Sequence, residues 1–163
     1  MKMIPPKYRN THSNAEKKIF EIIDNIELGE HYVCLHSLNI SEHDYKQWAE
    51  IDFIIVCPRG ILCLEVKGGR VACENGIWTF TDRYGRAHRK KSGPIEQVST
   101  ATHGLSRNLK AKSNIDVSKY VLGWGVIFPD IKWDIVSPEM PREIVCDKEF
   151  ASDSMRFEKY LKK

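Results

Sequence analysis

Ile51-Asp52-Phe53-Ile54-Ile55-Val56-Cys57-Pro58-Arg59-Gly60-Ile61-Leu62-Cys63-Leu64-Glu65-Val66-Lys67 is two apolar runs on either side of a turn. Pro58 suits the second position of a type I turn and Gly60 the fourth. The stretch therefore reads as a β-hairpin. Both runs are almost continuously apolar, so both faces of the sheet should be covered, as in a layered α/β core. Asp52, Glu65 and Lys67 interrupt them. Burying a charge costs several kcal/mol unless it is paired or bound to a metal. Side chains alternate along a strand, which puts Glu65 and Lys67 on one face and Val66 on the other. A two-residue loop of Pro58 and Arg59 sets Asp52 across from Glu65, where Cβ atoms stand about 4.5–5.5 Å apart. An odd loop would need a bulge to restore the faces.

Upstream, residues 1–12 read as an irregular arm because of Pro5-Pro6 and the polar Arg9-Asn10-Thr11-His12. Ser13-Asn14-Ala15-Glu16 is a capping box that opens a helix, with Ile19, Phe20, Ile22, Ile23 and Ile26 at helical spacing. Gly29 is its expected stop. A strand is expected over Tyr32 to Leu38, then a polar loop through Gln47. Downstream, Arg70 to Cys73 and Ile77 to Thr81, joined through Asn75-Gly76, read as a second hairpin. The basic residues Arg83, Arg86, Arg89, Lys90 and Lys91 follow it. Pro94 opens a helix with the stripe Ile95, Val98, Thr102, Leu105 and Leu109. Tyr120 to Phe128 is a buried strand, Glu143 to Cys146 a short one, and Phe150 to Leu161 an amphipathic helix. The expected units are thus the arm 1–12, a domain over 13–147, and a C-terminal helix over 148–163 that could link to a further domain. No internal repeat is present.

The 163 residues have 42% hydrophobic and 29% charged composition and a net charge of +3. This is ordinary for one globular domain and excludes extensive disorder. No apolar run approaches the roughly 18 residues of a membrane helix, and the N-terminus has no secretory h-region. The five cysteines show no C-x-x-C, and their odd number without an export signal points to reduced thiols in a cytosol. The histidines, His31, His36 and His43 among them, form no H-E-x-x-H. A cysteine/histidine zinc site is therefore disfavoured.

Read as residues alone, Asp52 and Glu65 have two accounts. They can share a hard cation such as Mg²⁺ or Mn²⁺, with a backbone carbonyl and water completing the shell. Lys67 would then orient an attacking water or offset developing negative charge. Alternatively they pair with Lys67 and Arg70 in a buried ion network. The sequence leaves both open. Trp78 and Phe80 have the chemistry to stack on bases, but aromatics on a short hairpin more often belong to a core, as do Trp48, Trp124 and Trp133.

Asp52 with Glu65-Val66-Lys67 resembles the PD-(D/E)xK motif of restriction-endonuclease-like nucleases. The wider pattern is more specific. Ser13-x-Ala15-Glu16, Leu35-His36-Ser37-Leu38, Glu50-Ile51-Asp52-Phe53-Ile54, Pro58-Arg59-Gly60-Ile61, Leu64-Glu65-Val66-Lys67-Gly68-Gly69, Gly76-x-Trp78 and Pro94-Ile95-Glu96-Gln97 together resemble the nuclease-related domain, NERD, over about Ser13 to Phe128. The leading Pro of the motif is replaced here by Ile51.

The resemblance implies an α/β restriction-endonuclease-like fold with a central mixed sheet of four or five strands flanked by helices. It implies a prokaryotic, cytoplasmic, Mg²⁺- or Mn²⁺-dependent enzyme that cuts DNA. It casts Asp52, Glu65 and the Val66 carbonyl as metal ligands, Glu16 as a further one, Lys67 as the catalytic lysine and Gln97 as a positioning residue. Glu16 also has its capping work with Ser13, and Gln97 can be read as an exposed helix-start glutamine. Arg86, Arg89, Lys90 and Lys91 would contact phosphates without reading sequence, or form a solvated loop. Met3-Ile4-Pro5 and the Leu35–Leu38 segment look most like helicase-fused members. No G-x-x-x-x-G-K-[ST] motif occurs, so the motor of such a fusion lies outside these residues, and a longer chain is left open. A non-catalytic DNA-targeting module is the rival reading. A third is an interaction domain that uses the Lys159, Lys162 and Lys163 face.

Overall fold

A computed structural model describes the chain except Arg9, Asn10, His12, residues 41–48, Arg83, Asn114, Val136, Pro138, Glu139 and Lys163. The expectations for the polar loop to Gln47, Trp48, Arg83 and Lys163 fall outside the described residues.

The central hairpin forms as its sequence requires. Strand β3 (Ala49–Cys57) and strand β4 (Gly60–Val66) pair antiparallel, with Phe53 opposite Leu64 and Cys57 opposite Gly60. This is the register of a two-residue Pro58-Arg59 loop, and the ladder ends at Phe53 and Leu64, one step before Asp52 and Glu65. Gly60 has φ +149°, and a Cβ there would lie 1.9 Å from the Val121 carbonyl oxygen. Only glycine lets β4 begin alongside β8 (Val121–Ile127), its parallel neighbour.

Around the hairpin, β2 (Val33–Ile40) pairs antiparallel with β3, and β1 (Lys2–Ile4) pairs parallel with β2. On the other side β9 (Val145–Cys146) pairs parallel with β8. The order is β1-β2-β3-β4-β8-β9, a six-stranded mixed sheet. Two very short edge strands therefore enlarge the expected four or five. The first of them, β1, lies within what reads in sequence as an irregular arm. A three-residue strand has no periodicity of its own, and only its distant partner Val33–Leu35 fixes it.

The second hairpin, β5 (Arg70–Glu74) and β6 (Ile77–Thr81), gains a third antiparallel strand, β7 (Ala87–Lys90). The basic segment is thus a fully exposed edge strand rather than a loop. Helix α1 (Asn14–Asp24) is capped by Ser13, whose side chain accepts from the Glu16 N–H. It ends at Asn25, short of the expected Gly29. The Asn25 N–H bonds back to Glu21 and Ile23, and its side-chain amide to the Glu21 carbonyl. Helix α2 spans Pro94–Ser113. The C-terminal segment is a 3₁₀ turn at Phe150–Ser152 followed by α3 (Ser154–Leu161), whose N-cap Asp153 breaks the expected single helix.

Both faces of the sheet are covered. One core joins Ile19, Phe20 and Ile23 of α1, Phe157 and Tyr160 of α3, and Phe53, Ile55, Leu64 and Val66 of the hairpin. The other joins Val98, Ala101 and Leu105 of α2 to Ile51, Ile54, Cys63, Val126 and Phe128. Because Phe157 is fully buried, α3 contributes to the core. None of the five cysteines is in a disulfide. Burial raises the Cys34 thiol to about 12 and the Cys63 thiol to about 11, which leaves both protonated and inert. Among the described residues no helix is long and apolar enough to cross a membrane.

Candidate active site

Asp52 stands where the sheet departs from its own pattern. The β2–β3 ladder runs from Val33 opposite Val56 to Ile40 opposite Ala49 but skips Ser37 and Asp52. Ser37 has φ 57°, in the left-handed region, and its hydroxyl donates to the Glu50 carboxylate. Ile51 and Ile54 both enter the α2-side core while Phe53 and Ile55 enter the other. The period of two therefore fails at Asp52, which frees its side chain. Asp52 Oδ2 accepts the Val66 N–H at 2.7 Å. A residue's N–H and C=O leave the same edge of an extended strand, so the Val66 carbonyl also points toward Asp52.

Glu65 is 8% exposed and is ion-paired with Lys67. Burial lifts its carboxyl above the ordinary value; Lys67 works against this, while Glu16 and Glu50 add to it. Asp52 is displaced in the same direction. Burial and then the Glu65 charge push its carboxyl well above the usual carboxylate range, despite the Val66 hydrogen bond. The Lys67 ammonium thus serves a neighbourhood of four carboxyl groups: Glu16, Glu50, Asp52 and Glu65.

Glu16 comes from the start of α1, which lies against the end of β4. A Cβ on Gly68 would stand 2.6 Å from the Ala15 Cβ, so a side chain there would push the helix away. The capping box is only half made, since the Ser13 N–H goes to the Thr11 hydroxyl. The Glu16 carboxylate turns inward, with Oε2 3.9 Å from Nε2 of His36. Burial alone would raise the Glu16 carboxyl; the His36 imidazole and the Thr11 and Ser13 hydroxyls hold it below the ordinary value. His36 is buried between Phe20 and Phe53, and neither ring nitrogen has a hydrogen-bond partner among the described residues.

Gln97 and Glu65 line one cleft of about 380 Å³, together with Glu50, Ser92, Glu96 and Thr100. Asp52 and Lys67 do not line this cleft. Lys91 lines a larger neighbouring cavity. Arg89 and Lys90 lie on β7, opposite Thr79 and Trp78, and Arg86 sits at its turn with its guanidinium 5.9 Å from the Tyr84 ring centre. Trp78 is core, stacked on Trp133 at 5.8 Å and 8°.

The donor set is hard: two carboxylates and one carbonyl. Among the described residues no three His, Cys, Asp or Glu side chains gather as a metal cage. Mg²⁺ does not require one, since it is commonly held by one or two carboxylates plus water and substrate phosphate. One buried carboxyl, Glu65, with the half-buried Asp52 and Glu16 and the exposed Glu50 around a single lysine, is an environment such a cation fits. Glu50, Ser37 and His36 carry no role in the sequence reading. Glu50 was findable, since it sits two residues before Asp52 on the same strand. Ser37 and His36 entered only as part of the Leu35–Leu38 segment of the family resemblance, with nothing that marked them as site residues.

A mixed sheet sandwiched by helices, with paired acids and a lysine at the end of its central hairpin, defines a restriction-endonuclease-like domain. Residues 11–124 match the family model described as nuclease-related domain, and the chain belongs to this NERD family, which relates it to nucleases. No curated protein and no solved structure matches it.

Proposed function

We propose that the chain is a metal-dependent nuclease that hydrolyses DNA phosphodiester bonds. The observation that carries this reading is geometric: Asp52 and Glu65 stand at the end of one hairpin, Asp52 Oδ2 accepting the Val66 N–H at 2.7 Å and Lys67 ion-paired with Glu65. Asp52, Glu65 and the Val66 carbonyl would hold Mg²⁺ or Mn²⁺, with Glu16 as a further carboxylate at the rim. When bound, the ion supplies a water of lowered pKa and positive charge against the scissile phosphate. Lys67 orients the attacking water and offsets charge on the phosphoryl oxygens. Gln97 positions the phosphate from across the cleft. Arg86, Arg89, Lys90 and Lys91 hold the flanking backbone without reading sequence. The reaction belongs to cytoplasmic DNA processing, with a helicase or ATPase domain as partner.

The test is an assay on DNA with Mg²⁺ or Mn²⁺. Activity in the wild type and its loss in Asp52→Ala, Glu65→Ala and Lys67→Ala supports the reading. Equal inactivity of all four in every metal sinks catalysis by this domain. The Lys67–Glu65 ion pair favours a second reading, a non-catalytic DNA-targeting module. Calorimetry with Mn²⁺ separates the two: binding that vanishes in Glu65→Ala belongs to the nuclease, and no binding belongs to the module.

A further inference from the structure

The larger cavity beside the cleft encloses about 750 Å³, within the roughly 300–1,000 Å³ of small-molecule sites. Three indoles line it, from Trp78, Trp124 and Trp133. Trp78 and Trp133 are stacked on each other, and Trp78 is seated against Gly93, where a Cβ would lie 2.3 Å from its Nε1. Trp124 keeps an intermediate exposure. Trp133 also carries a buried indole N–H without an acceptor among the described residues. Polar groups from Asn75, Ser99 and Ser137 share the lining with the aromatics.

The cavity adjoins the candidate active site. Glu96 lines both the cavity and the cleft that holds Glu65 and Gln97. Lys91 lines the cavity, and its neighbour Ser92 lines the cleft. Lys91 is exposed and directly follows β7, which carries Arg89 and Lys90. Positive charge therefore leads to the mouth of an aromatic pocket that shares a wall with the cleft of Glu65. Flat rings beside a phosphate-binding charge are the chemistry of a nucleotide.

We propose that this cavity takes one unpaired nucleobase of the DNA strand whose phosphate lies in the Glu65–Gln97 cleft, so that the substrate is single-stranded or locally unpaired DNA. This rests on the reading of the chain as a DNA-processing domain. A base still in a duplex has its faces stacked and its edge paired, and must leave the helix to enter such a pocket.

The experiment uses the full chain in EDTA, where no turnover is needed. A short labelled oligothymidine is compared with an abasic oligonucleotide of the same length, by anisotropy and tryptophan fluorescence. Oligothymidine should bind about tenfold more tightly, as one stacked base implies, and should quench the tryptophans. Ser99→Phe fills the cavity from α2. Ile135→Glu alters a lining residue that is 47% exposed, so it spares the core. Each should abolish the preference for bases while leaving the abasic affinity in place. Equal wild-type affinities, no binding to either oligonucleotide, or a preference retained in both variants would overturn the proposal. Cleavage of the same oligonucleotides with Mn²⁺ is scored separately. Base preference without cleavage keeps the cavity's role and removes hydrolysis; cleavage without base preference does the reverse.

Discussion

Asp52→Asn turns the electrostatics of the site into a melting temperature. Burial and the Glu65 charge raise the Asp52 carboxyl well above the ordinary range, although it already accepts the Val66 N–H. The charged form is thus disfavoured in the fold, and every tenfold weakening of the acid corresponds to about 1.4 kcal/mol. The folded pKa is above the unfolded one. Asp52 therefore contributes stability that is full below the unfolded value, about 3.9, and lost as pH rises through the folded value. Asparagine keeps the shape and an acceptor for Val66 but carries no charge. In EDTA at pH 7 the variant should be more stable, by on the order of 1 kcal/mol, or about 2–4 °C in Tm for a chain of this size. At pH below about 3.9 the difference should close. Mn²⁺ at a hundred times its Kd should add about 2.7 kcal/mol to the wild type and little to the variant, which reverses the order. Thermal melts followed by circular dichroism across pH, with and without Mn²⁺, measure all of this. A variant that melts lower in EDTA, by the same margin at neutral and acidic pH, would refute the reasoning and make Asp52 a structural acid.

Three further outcomes test the frame around the site. Phe157→Ala empties a fully buried position of α3 and should cost about 3–5 kcal/mol in urea denaturation; a loss under about 1 kcal/mol would mean that residues 148–163 attach loosely. Gly60→Ala places a Cβ 1.9 Å from the Val121 carbonyl oxygen and should destabilise by more than about 2 kcal/mol; wild-type stability would contradict the β4–β8 register. Arg89→Glu with Lys90→Glu, both on the exposed β7, should leave the melting temperature unchanged. It should weaken DNA binding and flatten the salt dependence by about 0.7 in log–log slope for each lost phosphate contact on single-stranded DNA, or about 0.9 on duplex. An unchanged slope would place DNA elsewhere.

The hairpin was legible because every determinant was local: two apolar runs, a Pro-Arg loop, and a glycine where the backbone takes φ +149°. What was not legible depended on distant partners. Lys2–Ile4 became a strand only through Val33–Leu35. Ala87–Lys90 has no apolar pattern and is a strand because β6 offers a free edge. Asn25 stopped α1 by bonding back to Glu21, a role that glycine spacing hides. Within the site, the acids and lysine stood out as charges in apolar strands. Ser37 and His36 did not, because nothing in their neighbours' identities foretells a left-handed backbone or an imidazole lodged between two phenylalanines.

The same chain shows how it treats a buried acid that serves structure. Asp147 is fully buried, yet it accepts from the Arg142 guanidinium at 2.8 Å and from the Trp133 and Glu149 N–H groups at 3.1 Å each. Against the cost of burial, these partners hold its carboxyl below the ordinary value. Asp52 has, among the described residues, one N–H donor, a like-charged neighbour and no arginine, and its carboxyl is driven the other way. An ion network selected for stability would resemble Asp147. A pair left short of positive charge, at a break in the ladder beside a left-handed serine and an imidazole with no hydrogen-bond partner among the described residues, violates several local rules at one place. Folded proteins concentrate such violations where function requires them. That contrast weighs against the buried ion network as the full account of Asp52 and Glu65, and it supports the proposed cation-binding role of the pair.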